Sequence, residues 1–342
     1  MSEYVSEPAS TEQAESQTVT ENLTKVDDLW FATDIIVIRA ENKIFRVLGS
    51  ILGARSSVFH DMFAFPQPHD MKTEKIDGHP VVQLQDKAED VEVFLRAIYD
   101  SNYFMPSPAP VHMKDLLAVL RLSHKYDVPY LHRRALHHLI SEGWYRETYR
   151  LDESETKHVT YIDVGSPIDA LSVALAAVEV NAPWLLPYAY YRAGTYPVQK
   201  LSVAPLMEGE TRDCAVKALV AHTYLACGVL RMNSHLTEQS PPTCVDSSKC
   251  DGCRKINLCA LWGYLSVGGF THPLRQLDVI SRNMEKNGMC SYCLEDAKTK
   301  QHEAATKFWD DLPGILGLPP WEELNAMKRA AMGEDGVLSV HV

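Results

Sequence analysis

The apolar positions between residues 29 and 142 change period partway along the chain. Asp34-Ile-Ile-Val-Ile-Arg39 is dense in β-branched residues, and Lys43-Ile-Phe-Arg-Val-Leu48 follows after a short Ala-Glu-Asn turn, which predicts a hairpin. Ser50 is placed to cap a short helix through Ile51, Leu52 and Arg55, and Val58, Phe59, Met62 and Phe63 continue at helical spacing. A loop with Pro66, Pro68 and Gly78 ends at Pro80, and Val81-Val82-Gln83-Leu84 predicts a short third strand. The period then becomes helical. Val91, Phe94, Leu95 and Ile98 fall at i, i+3, i+4, i+7, as do Met113, Leu116, Leu117 and Leu120. Pro106, Pro108 and Pro110 separate these two helices, and Pro129 opens a third with Leu131, Ala135, Leu136 and Leu139 on its apolar side.

From about residue 150 no alternating strand pattern is visible. Ala170–Val180 and Arg212–Leu230 predict apolar helices, with a break at Pro183, Pro187 and Pro197. Thr237–Ser248 is polar and marked by prolines, a further helix is expected over Ser291–Asp311 before Leu312-Pro313-Gly314, and Trp321–Met332 closes the pattern. The expected organisation is a disordered polar tail over residues 1–26, an α+β domain over 27–145, and a mainly α-helical domain over 150–335.

Composition narrows the function. With 46% apolar and 23% charged residues a packed core is available, and a net charge of −12 disfavours a phosphate backbone as partner. The densest basic stretch, His132-Arg133-Arg134 with His137 and His138, reads as a solvated helix face. The first residues lack the basic start and apolar run of a targeting segment, and no stretch reaches the roughly 18–20 apolar residues of a membrane span, so a cytoplasmic or nuclear protein without membrane contact is expected. In that setting the eight cysteines are not a disulfide framework.

Several spaced elements agree in order with one family. Asp34-Ile-Ile-Val-Ile, Phe45 on the second strand, the run Ser50-Ile51-Leu52 through Ser56, Phe59, Met62 and Phe63, then Pro80–Leu84, Asp90–Tyr99 and His124-Lys125-Tyr126 through Leu131 together resemble a BTB/POZ domain. The ending Leu312-Pro313-Gly-Ile-Leu-Gly-Leu-Pro-Pro-Trp321-Glu322-Glu323-Leu324 resembles the BTB proteins expanded in mushroom-forming fungi. The resemblance implies protein–protein binding: homodimerisation and, in many members, docking onto a cullin ubiquitin-ligase scaffold. Asp34, Phe45, Ile51, Leu52, Phe59, Met62 and Phe63 are the candidate interaction residues it carries over. No Kelch, zinc-finger or MATH-type module follows the domain, so target recognition by an adaptor is not supported by motif.

Six of the cysteines crowd between Cys244 and Cys293. Cys250-Asp-Gly-Cys253 and Cys290-Ser-Tyr-Cys293 are two C-x-x-C pairs, and two such pairs can complete a closed tetrahedral zinc site. The alternative first pair is Cys244 with Cys250, a spacing closer to that expected of the fungal relatives. The candidate structural-zinc ligands are therefore Cys244, Cys250, Cys290 and Cys293, with Cys253 the alternative fourth, while Cys259 is expected as a small buried hydrophobe. Neither pair lies in a βαβ context, which weakens a redox reading.

Catalytic signatures are missing from the sequence. There is no G-x-S-x-G, Walker A or G-x-G-x-x-G, and His302-Glu303 begins an H-E-x-x-H pattern that Thr306 breaks. A non-catalytic oligomerisation or adaptor protein is the expectation. A BTB-type transcriptional regulator without direct DNA contact and an enzyme with an unrecognised site in the helical domain remain the alternatives.

Overall fold

The computed structural model describes residues 34–64, 74–141, 143–145, 167–198, 210–266 and 273–333. The expected polar tail and the first apolar residues, Leu29 to Phe31, lie outside them. The chain forms two compact units, one of residues 1–39 with 44–83 and one of residues 40–43 with 84–342.

In the first unit β1 (Ile35–Ala40) and β2 (Lys43–Leu48) form the expected hairpin, with Glu41 in the left-handed region at the turn. Two short helices follow, α1 (Gly49–Arg55) and α2 (Ser57–Ala64), then β3 (Lys75–Ile76) and β4 (His79–Leu84). The four strands make one sheet in the order β2-β1-β4-β3, and β3 pairs antiparallel with β4 through Lys75↔Pro80 and Ile76↔His79. β3 is an addition to the expected pattern. Its signal was Asp77-Gly78, whose φ values of 53° and 82° are what a two-residue hairpin turn demands.

Ser50 does not cap α1 as expected, because it lies inside the helix. Asp34 does this instead: its backbone oxygen accepts the Gly49 N–H at 2.8 Å and its carboxylate accepts the Ser50 N–H at 3.0 Å. A Cβ at position 49 would come 2.8 Å from that carboxylate oxygen, so only glycine admits the cap so closely. Ser56 caps α2 through its hydroxyl, 3.1 Å from the Phe59 N–H.

The second unit begins with α3 (Ala88–Tyr99), α4 (Met113–Lys125) and α5 (Pro129–Ser141). Val91, Phe94, Leu95, Met113, Leu116, Leu117, Leu120, Leu131, Ala135, Leu136 and Leu139 are all buried, as their spacing predicts. The basic stretch on α5 is not wholly solvated. His138 is buried with its Nε2 2.8 Å from the Met105 carbonyl, and Arg134 donates to the Phe104 carbonyl at 2.6 Å. Both satisfy the carbonyls of an irregular segment that no helix covers.

Next come α6 (Pro167–Glu179), a 3₁₀ turn at Pro183–Leu185, α7 (Leu186–Gly194), α8 (Glu210–Met232), a second 3₁₀ turn at Ser234–Thr237, α9 (Ser247–Ser266), α10 (Pro273–Lys286), α11 (Ser291–Ile315) and α12 (Trp321–Met332). Helix α7 occupies the expected proline break, because Pro187 sits in its first turn, where a missing N–H costs nothing. It crosses α8 closely: a Cβ on Gly194 would lie 2.9 Å from the His222 backbone nitrogen, and His222 Nδ1 is 2.7 Å from the Gly194 carbonyl.

Helix α11 was expected to end before Leu312, yet it runs through Pro313. Proline has no N–H to give the carbonyl four residues back, that of Trp309. The indole N–H of Trp321 takes that carbonyl at 2.9 Å, and the two indoles stack at 5.4 Å and 15°. Trp309 also meets Tyr188 and Tyr191 of α7 at 6.4 and 5.9 Å. Farther along, Tyr145 bonds Asn325 of α12 and lies under Lys328, 4.8 Å from its ring. Trp321→Phe keeps the stacked ring but leaves the carbonyl without its donor. It should cost about 1–2 kcal/mol, read as a lower midpoint in denaturant unfolding with the slope unchanged.

Candidate metal centre

Four of the cysteines converge because two helix starts and one loop bring them together. Cys244 lies in the loop after the second 3₁₀ turn, its N–H bonded to the Pro241 carbonyl at 2.9 Å. Asp246 caps α9 by accepting the Lys249 N–H at 3.0 Å, which places Cys250 in the first turn. Ser240 donates its N–H and its hydroxyl to Asp251 at 3.0 and 2.6 Å, which fastens the loop to the helix and holds the Asp251 carboxyl below its ordinary range. Gly288, at φ 76°, ends α10 and turns the chain so that Cys290 becomes the residue before α11 and Cys293 falls in its first turn.

The sulfurs of Cys244, Cys250, Cys290 and Cys293 all lie within 4.8 Å of one another, and those of Cys244 and Cys290 are 3.8 Å apart. A tetrahedral Zn–S distance of about 2.3 Å places its sulfurs about 3.8 Å apart, so the donor set fits a zinc ion with an inward adjustment of at most about 1 Å. Backbone amides already point at the sulfurs. The Cys290 N–H is 3.4 Å from the Cys250 sulfur. The Val245 N–H, then that of Cys293, lowers the Cys290 thiol to about 6. Burial acts oppositely on the inner pair, raising Cys250 to about 12 and Cys293 above its ordinary value. A dication held among the four sulfurs would bind them as thiolates.

Cys253 stands apart. One turn farther along α9, its thiol donates to the Asn287 carbonyl at 3.0 Å. Cys259, expected to be buried, is exposed, because its side of α9 faces outward. The apolar packing around the cluster comes from Val229, Leu236, Ile280, Met284, Met289 and Ala297.

A polar network that runs from buried Arg254, Asn233 and Gln301 out to exposed Glu238 lies beside the centre. Arg254, 1% exposed, donates to the His235 carbonyl at 2.6 Å and lies 3.5 Å from Asp296, while Lys300 bridges Asp296 at 3.1 Å and Glu238 at 2.6 Å. Gln301 donates to Asn233 at 3.2 Å and accepts from Ser281 at 2.7 Å. These bonds join the 3₁₀ turn, α9, α10 and α11. Nothing in the sequence pattern singled them out, since isolated Arg, Asn and Gln in helices are ordinarily solvated.

The candidate interaction residues of the first unit divide by burial. Leu52 and Phe59 are fully buried and pack within the chain, and Phe59 stacks on Phe63 at 5.8 Å. Phe45, Ile51, Met62 and Phe63 are half-buried, and Asp34 is exposed beside the helix it caps. On the edge strand β2, Ile44 and Leu48 are exposed.

A sheet flanked by short helices, continued by helices, defines the class of this N-terminal part as a small α+β domain. The family model described as BTB/POZ domain matches residues 23–142, so this part is a BTB/POZ domain, a general protein–protein interaction module, and a mostly helical region follows it. No curated protein and no solved structure matches the chain significantly. Among the described residues one helix, over Arg212–Met232, is long and apolar enough to cross a membrane.

His235, buried near the centre, is pushed down to about 4 by burial and then by the Arg254 charge. Its folded value lies below the unfolded value of about 6.5, so the stability it contributes is complete above pH 6.5 and is lost as the pH falls towards 4. The loss is of order 3 kcal/mol. Chemical unfolding of His235→Leu beside the parent across this window should show a flatter pH dependence. Parallel curves would remove His235 as the cause.

Proposed function

We propose that the chain is a self-associating scaffold: the BTB/POZ domain pairs two copies and binds a protein partner, and the helical region, tightened by a structural zinc ion, is the part it carries. The match over residues 23–142 carries the interaction half of this reading, since domains of this class bind proteins and often dimerise. The half-buried Phe45, Ile51, Met62 and Phe63 and the exposed Ile44 and Leu48 supply apolar surface for such contacts. A cullin scaffold is the partner class that the resemblance of the N-terminal motif favours. The net charge of −12 speaks against direct contact with DNA.

Cys244, Cys250, Cys290 and Cys293 would hold the zinc. Four thiolates close the coordination sphere and leave no position for water or substrate, so the ion would supply folding energy and no chemistry. The amide donors on Cys250 and Cys290 suit thiolate sulfur and would temper its charge.

Light scattering and metal analysis of the full-length protein test the two halves separately. A particle of twice 38.4 kDa is expected, reduced to the single mass by Ile51→Asp, and a monomeric parent would end the self-association half. About one zinc per chain is expected, with Cys293→Ser losing both the metal and several kcal/mol of stability. A metal-free parent whose melting ignores a strong chelator would leave the cluster as four reduced thiols.

A further inference from the structure

The four converging cysteines differ in how they meet solvent. Cys250 and Cys293 are 1% and 0% exposed, whereas Cys244 and Cys290 are half-buried, with their sulfurs 3.8 Å apart. The residues that follow this outer pair lie open, Val245 at 76% and Tyr292 at 58% exposure. Cys244 and Cys290 therefore form the solvent side of the cluster. Their sulfurs need to close by only about 1.8 Å to reach the disulfide length of about 2.05 Å. The bond would run between the loop and the start of α11, across the two segments, and not within either C-x-x-C pair. Cys253 is turned away from it, with its thiol on the Asn287 carbonyl.

We propose that Cys244 and Cys290 are a reversible disulfide site that hydrogen peroxide oxidises. One of the two sulfurs attacks the peroxide: an S–O bond forms, the O–O bond breaks, and one oxygen leaves as water. The second sulfur then attacks the first. The S–S bond forms as the S–O bond breaks, and the remaining oxygen leaves as a second water. The sulfurs give up two electrons, which the peroxide takes, and the two thiol protons end in the waters. Where zinc is held, it leaves as the dication. The waters then draw their two protons from solvent, and Cys250 and Cys293 take up one each.

The new bond joins residues 46 apart in sequence and holds the Cys244 loop at the start of α11, the same two elements that a metal ion would tether. Oxidation thus ejects the ion, left with two ligands where a structural site has four, without freeing the loop. The disulfide stands on the sulfur geometry alone, and only the ejection of metal rests on the zinc reading. Full-length Cys227→Ser/Cys259→Ser, which removes the two exposed cysteines, keeps the products within one chain. It is treated with hydrogen peroxide, alkylated with N-ethylmaleimide before and after unfolding, and mapped by peptide mass spectrometry, while a chromogenic chelator follows released zinc. The expected product is one disulfide between Cys244 and Cys290. Cys250 and Cys293 should be alkylated only after unfolding, the helical circular dichroism should hold, and dithiothreitol should restore both thiols. Each disulfide should release one zinc ion from loaded protein.

A metal-free protein that forms the same disulfide would remove the zinc reading and support this site. Cys244 and Cys290 that stay open to alkylation, or that pass to sulfinic acids, overturn the proposal whether or not metal is present. So does a disulfide within Cys250–Cys253 or Cys290–Cys293, or a loss of helicity as the disulfide forms.

Discussion

A single backbone carbonyl, that of Trp309, decides how the last third of the second unit is put together. Pro313 cannot satisfy it, and an unsatisfied buried carbonyl costs as much as a lost hydrogen bond. The bond from the Trp321 indole therefore does two jobs. It lets α11 continue through a proline, and it fixes where α12 must begin. The indoles stack, Tyr188 and Tyr191 of α7 meet the Trp309 ring, and the Tyr145–Asn325 bond carries α12 back to the end of the BTB/POZ match. Helices α3 to α5 thus belong to the same compact unit as the helices that follow them.

The cysteine cluster solves a different problem. The core of the segment from the second 3₁₀ turn to α11 sets Cys250, Cys253 and Cys293 among Leu236, Leu261, Ile280, Met284 and Met289, so part of it is filled by small side chains. Such a centre gains less from apolar burial than a leucine-filled one. Hydrogen bonds and ion pairs around Arg254 and Gln301 give it definition, and a metal ion would add binding energy to the same place. Cys290 serves as cluster member and helix start at once, so the orientation of α11 is tied to the position of its sulfur.

What the sequence revealed follows from the range of the forces involved. Residues 34–141 were legible because hairpin, helix spacing and Pro129 are all local signals. The Asp77-Gly78 turn is equally local, but the strand before it spans only Lys75–Ile76, too short to show an alternating pattern. α7 is disguised by its prolines, because proline breaks a helix interior but not the first turn, where Pro187 sits. α9 gave little periodic signal, for beside Leu261 the residues it buries are Cys250, Cys253, Arg254 and Asn257. The spacing of the cysteines did not decide between Cys244 and Cys253, and the reason is now plain. Cys290 stands just outside its helix and Cys293 inside it, so that pair converges. Cys250 and Cys253 both lie within α9, where the second sulfur is carried away toward Asn287. The Arg254 network, the Trp321 bond to Trp309 and the Asp34 cap are long-range pairings of residues that carry no pattern of their own.

The order of the cluster members along the chain has a consequence for how the protein is made. Cys244 and Cys250 leave the ribosome about 40 residues ahead of Cys290 and Cys293, which at typical elongation rates is a delay of roughly 2–8 seconds. Throughout that interval the growing chain displays two thiols without their mates, next to a helix that buries Arg254 and Asn257 beside Cys253 and Leu261. The core that Cys250 and Cys253 share with Cys293 and Ala297 is therefore complete only after residue 297 has emerged.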